Sequence, residues 1–217
     1  MRKTTHINNF TNDCISKGNK MCRKFVMGIR KKSKKIDDMP ARAQEVLDYF
    51  QIRELSSGVP IVEILTKIGF KIYQSNLEPD NLSAYIAIDP NFEEVFESNK
   101  IACVNIKDSI GHKRYALAYE LARYIFDFDE KKSLYYYDTF FQGKEEKDMA
   151  EKRANKFAIN LLMPKVAFEE TFDRFKELQS KVDIVNALER FFLVSSNAVL
   201  ERFLDLGIAG YDNNAEY

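Results

Sequence analysis

Histidine is nearly absent from this chain: His6 and His112 are the only two in 217 residues. Chemistry built on imidazole, whether a triad or a metal centre, is severely limited from the outset. Tryptophan is missing while Phe and Tyr are plentiful, so the core must rest on Phe, Tyr, Ile and Leu. Cysteine is scarce and odd in number. Cys14, Cys22 and Cys103 match no zinc spacing, which fits reduced thiols in a cytoplasm rather than a disulfide framework. No apolar run approaches the roughly 18 residues of a membrane span. The N-terminus has no hydrophobic segment or small-residue cleavage site, so it does not read as a secretory signal. An apolar share of 45% still suffices for an ordinary core, in one domain with extensions or two small ones.

The formal net charge of zero conceals an asymmetry. Residues 1–36 hold eleven Lys or Arg and one acid, Asp13, a charge of +10, which leaves 22 basic and 32 acidic groups, −10, for the remainder. A basic arm on an acidic body suits nucleic acid, anionic lipid, a fold-back onto its own body, or simply a solvated tail. The expected organisation is a flexible basic arm over 1–37, in which roughly 18–35 is capable of forming a basic helix, a domain over 38–210, and a polar tail over 211–217.

Helix signals dominate the domain. Pro40 opens a helix over about 41–51 and Pro60 another that ends at Gly69. Three β-branched or aromatic runs, 70–75, 84–89 and 100–106, are separated by Glu78-Pro79-Asp80-Asn81 and Asp89-Pro90-Asn91 turns, and their brief connections predict a small antiparallel sheet. After Gly111 a long helix begins, with Leu117, Ala118, Leu121, Ala122, Ile125 and Phe128 as its apolar stripe. The segment 129–147 is charged and turn-like, with Leu134-Tyr135-Tyr136-Tyr137 as a local packing candidate. A second strong helix spans about 147–163, its inner stripe rich in alanine, until Pro164 stops it. Further helices follow over 165–176, 181–192 and 195–206, the last with Ser195 as N-cap. The fold class is α+β: helices around a three-stranded antiparallel sheet, with two central helices forming a cleft.

At the centre of the long helix lies Tyr119-Glu120-Leu121-Ala122-Arg123. Zinc peptidases hold His-Glu-x-x-His at such a place, two imidazoles one turn apart with a glutamate base beside the first. With Lys113 to Tyr124 around it, this stretch resembles the central helix of the ImmA/IrrE-type metallopeptidase family. Glu151-Lys-Arg-Ala154-Asn155-Lys-Phe157-Ala158-Ile-Asn-Leu161-Leu162-Met163-Pro164 resembles a second family segment, and Phe192 to Gly207 a third. The resemblance runs from about Ala41 to Ile208. It implies a zincin-like cleft, C-terminal helices of helix-turn-helix flavour, and cleavage of helix-turn-helix repressors. It also implies two histidines and one glutamate as zinc ligands. Carried over, Glu120 takes the general-base position, Glu151 the third ligand, and Tyr119 and Arg123 the two imidazole positions.

That substitution predicts no metal. A guanidinium offers only hydrogen-bond donors and repels a cation, and a phenol rarely ligates. His112, seven residues before Tyr119, lies two turns away. Arg123 is expected to replace the ion by pairing with Glu151, Glu120 or both; the plainer expectation is a surface residue with an i,i+3 pair to Glu120. The terminal helices carry more acid than base, which favours packing or protein docking over reading DNA. The leading expectation is a catalytically inactive, cytoplasmic, mobile-element-encoded protein that binds a regulatory protein partner, such as a helix-turn-helix repressor or a toxin-antitoxin component. An active zinc endopeptidase with a remodelled site is one alternative; a regulator holding nucleic acid through residues 1–36 is another.

Overall fold

The computed structural model describes residues 21–78, 82–128, 144–178 and 180–211. Residues 21–30 form helix α1. A 3₁₀ turn, Ile36–Asp38, leads into α2, Met39–Tyr49, which carries Pro40 in its first turn where a missing N–H costs nothing. Helix α3, Ile61–Ile68, ends at Gly69, whose φ of +104° is a left-handed conformation that glycine adopts without penalty. The sheet and one short helix follow: β1 Lys71–Ser75, β2 Ala84–Ile88, α4 Phe92–Phe96, β3 Lys100–Asn105. The rest is helical: α5 Ile110–Phe126, α6 Lys144–Leu162, α7 Lys165–Phe175, α8 Lys181–Phe192 and α9 Ser196–Leu206. The α+β class and most boundaries agree with the sequence. Helix α4 does not: the Asp89-Pro90-Asn91 turn signal hid a single helical turn behind it.

The sheet is mixed rather than wholly antiparallel. Its order is β1-β3-β2, with β3 parallel to β1 (Lys71 opposite Ile101) and antiparallel to β2 (Ala84 opposite Val104). Burial explains why the last strand takes the middle. From Ile101 to Asn105 every residue of β3 is buried, whereas β1 grows exposed toward its end. A strand buried on both faces belongs in the centre, and one with polar residues at its end tolerates an edge.

Helix α5 runs through the core between the sheet, α3 and α6. Its predicted stripe of Leu117, Ala118, Leu121, Ala122 and Ile125 is buried, and Phe128 is half-buried. Alanines 150, 154 and 158 of α6 are buried too, which lets the two helices approach closely. One connected cluster of buried apolar side chains extends from Val26 to Tyr211. A charged link crosses it: Arg202 of α9, 1% exposed, donates to Asn160 Oδ1 of α6 at 2.8 Å and also holds Asp205. Burial lowers the Arg202 pKa to about 10.

The second half of the basic segment packs on the body, the fold-back alternative to a flexible arm. Val26 and Ile29 of α1 are 1% and 2% exposed, and Phe25 stacks on Tyr49 with ring centroids 3.8 Å apart. Arg30 donates to the carbonyl oxygens of Ile125 and Tyr124, each at 2.9 Å, and Lys34 to that of Phe126. Two cations therefore serve the orphan carbonyls and the negative end of the α5 dipole. Residues 1–20, the 134–137 packing candidate and nearly all of the 211–217 tail lie outside the described residues.

Candidate functional site

Both ends of α5 are fixed, the start by a local cap and both ends by contacts from distant parts of the chain. Ser109 caps the start, its hydroxyl accepting from the His112 N–H at 3.3 Å. Gly111 sits where a Cβ would come within 2.7 Å of the Val194 carbonyl carbon, so the helix start lies directly on the α8–α9 turn. Arg114 then reaches out of the helix to the carbonyls of Leu193 (3.0 Å) and Val59 (2.6 Å). At the far end stand Arg30 and Lys34. The residues between are thus held in one rotation about the helix axis.

That rotation turns Glu120 inward. It is 4% exposed, and its Oε2 has no hydrogen-bond partner among the described residues. Burial pushes its carboxyl up to about 8, with the Arg123 charge pulling the other way. Tyr119 is half-buried beside it, and burial drives its phenol up to about 12 although Arg123 donates a hydrogen bond to it; the charges of Glu120 and Glu151 add to the rise. Glu151, half-buried on α6, is thus near enough for its charge to act on Tyr119. One turn away the Tyr115 hydroxyl donates to Asn155 Oδ1 at 2.9 Å, tying α5 to α6 beside the site. Glu120 is enclosed where the two helices meet. A surface concavity lies in the α2–α3 loop, lined by Gln51–Gly58 and Pro60, and shares no residue with the site.

Arg123 is not a surface residue. It is 5% exposed, and its Nε lies 2.9 Å from Asp127 Oδ2, one helical turn on. Asp127 Oδ1 is held in turn by Arg153 of α6. Burial nonetheless raises the Asp127 pKa, outweighing both guanidinium groups and Lys34. Asp127 is thus a carboxylate that accompanies Arg123, and the Arg123 charge also acts on Glu120. Sequence reasoning missed Asp127, which falls inside the long helix as the sequence predicts it, one residue before Phe128 of its apolar stripe. Its i,i+4 spacing from Arg123 was the available signal.

The structure thus gathers Tyr119, Glu120, Arg123 and Glu151 about the α5–α6 contact. His112 does not join them; it is exposed in the first turn of the helix. Among the described residues, no three His, Cys, Asp or Glu side chains are grouped so that they could hold a metal ion. Nor is any helix among them long and apolar enough to cross a membrane.

A family model, Peptidase_M78, described as an IrrE N-terminal-like domain, matches residues 66–204, more than half of the chain. The chain belongs to this family. The IrrE N-terminal-like match begins inside α3 and ends inside α9, so it takes in the sheet and both site helices. It leaves out α1 and α2, although α1 caps the helix that carries Glu120. Curated protein sequences gave no match to this chain.

Proposed function

We propose that this IrrE N-terminal-like protein acts in the cytoplasm as a non-hydrolytic, peptidase-like binding protein for a regulatory protein partner, with a helix-turn-helix repressor or a toxin-antitoxin component as the candidate class. The observation that carries the reading is the buried Arg123–Asp127 pair at a position where the resemblance expects an imidazole. The residues present do not fit zinc. A guanidinium has no lone pair to offer and places a fixed positive charge where the ion would sit. Tyr119, with its pKa near 12, resists becoming a phenolate, and only Glu151 retains an ordinary ligand group. Three protein ligands and an open position are the usual requirement. Glu120 is the residue of the general-base position, yet burial favours its protonated form near neutrality. A protonated carboxyl donates a hydrogen bond and does not take a proton from water.

The buried free thiols of Cys22 and Cys103 support the cytoplasmic assignment. Metal analysis of protein purified without chelator tests the non-hydrolytic reading: far less than one zinc per chain is expected. One zinc per chain that disappears in Glu151→Gln overturns it in favour of a remodelled endopeptidase. For the partner, a captured repressor or antitoxin should remain uncleaved after prolonged incubation with the purified chain. Cleavage would likewise reverse the assignment.

A further inference from the structure

Helix α1 has two sides with different fates. Cys22, Phe25, Val26 and Ile29 recur at helical spacing and face the body, where Val26 and Ile29 are fully enclosed. The other side is exposed and basic. Of the cations on α1 and the segment just after it, Arg30 and Lys34 are committed to the α5 carbonyls, and Lys32 pairs with Glu45 at 2.8 Å. Lys24, Lys31 and Lys35 are exposed, and their ammonium groups have no partner among the described residues. Lys24 lies on α1, and Lys31 and Lys35 lie in the turn and irregular segment that follow it. Lys24 is held in place because the opposite side of α1 is anchored, and the contacts of Arg30, Lys32 and Lys34 tie down the segment that carries Lys31 and Lys35.

We propose that Lys24, Lys31 and Lys35 form a contact surface for the phosphate backbone of double-stranded DNA. Three observations select this occupant among polyanions. A bilayer-binding helix needs a free apolar face, and that of α1 is already used against the body. Single-stranded nucleic acid is gripped by exposed aromatic rings, and the one ring on α1, Phe25, is stacked on Tyr49. A docked segment that holds three lysines in fixed places suits the regular charge lattice of a duplex. The contact is to phosphates rather than base edges, so it positions without reading sequence. Charge asymmetry sets the orientation: residues 1–36 carry +10 and the remainder −10, so the acidic body is turned away from the duplex.

Fluorescence anisotropy of the full chain with a labelled duplex of arbitrary sequence, titrated at several salt concentrations, tests this. Neutralising three phosphates gives a log–log salt slope near −2.7, so a fourfold rise in salt should weaken binding by about 40-fold. The triple variant Lys24→Gln, Lys31→Gln, Lys35→Gln should abolish binding while keeping the parent melting temperature. Lys67→Gln with Lys165→Gln, on other surfaces, should leave it unchanged. Absence of duplex binding at low salt overturns the proposal. So does a triple variant that binds like the parent, or equal affinity for single-stranded DNA or phosphatidylserine vesicles that is lost in the same variant.

Discussion

Arg123 and Asp127 stand one turn apart on a helix with Nε and Oδ2 at 2.9 Å, and both side chains are almost enclosed. An exposed pair at this spacing contributes only tenths of a kcal/mol, but here each charge has lost most of its water. Removing one partner strands the other. Arg123→Met should cost about 2–4 kcal/mol in urea denaturation, less than a fully unpaired charge because Arg153 still holds Asp127. The paired change Arg123→Met, Asp127→Asn should recover part of that loss. Independent, additive effects would show that the two side chains are not coupled.

If two imidazole positions are what separate this chain from a zinc site, restoring them should restore the metal. Tyr119→His with Arg123→His is expected to bind about one zinc per chain, measured by elemental analysis, and zinc should raise its melting temperature. Adding Glu151→Gln should remove most of that affinity. Failure of the double variant to take up zinc while still folded would mean that α6 does not present Glu151 toward residues 119 and 123.

Glu120 makes stability depend on pH in a definite direction. Its carboxyl binds a proton more tightly folded, at about 8, than a free glutamic acid does, near 4.5. Its contribution is therefore fully present below about pH 4.5 and is lost as pH rises through 8. A pKa difference of this size corresponds to roughly 3–5 kcal/mol. Urea midpoints should fall between pH 6 and 9 in the parent, and Glu120→Gln should flatten that decline by keeping a neutral group throughout. An unchanged profile in the variant would assign the dependence to other groups, Asp127 first among them because its pKa is raised as well.

The caps on α5 are separable from its core. Arg30→Met keeps much of the side-chain bulk but leaves the Ile125 and Tyr124 carbonyls without its two hydrogen bonds. A loss of about 1–3 kcal/mol is expected, together with faster amide exchange in the last turn of α5. Protection confined to the parent would tie the N-terminal segment directly to the helix that bears Glu120.

The helical part of this fold was legible because its ends carry specific chemistry. Pro60 and Gly69, Pro164 and Ser195 mark boundaries that appear as expected, whereas Ser109 caps α5 ahead of the start predicted after Gly111. Strand order was not legible, since β propensity identifies a strand without naming its neighbours. An interior Arg123 is the leading expectation from the sequence, but Asp127 as its ion-pair partner was not legible there. Charged residues on a helix usually face solvent, and Asp127, itself held by Arg153 of α6, offsets the Arg123 charge. On α1 the apolar positions Cys22, Phe25, Val26 and Ile29 were present in the sequence, but the surrounding lysines and arginines made the segment read as a solvated arm.

The place of β3 has a consequence for how the chain is made. It is the last strand in sequence yet the middle one in space, and it alone joins β1 to β2. Lys71 must wait for Ile101, thirty residues later, before the first ladder bond between those strands can close. No hairpin of β1 with β2 exists to hold the sheet meanwhile. On the ribosome both outer strands therefore emerge with open edges, and the sheet assembles in one step when the stretch through Asn105 arrives. Pairing of this kind places loop closure ahead of any stabilising contact and slows folding. Substitutions that weaken β3, such as Ala102→Gly or Val104→Ala, should therefore slow refolding more than equally destabilising changes in the terminal helices.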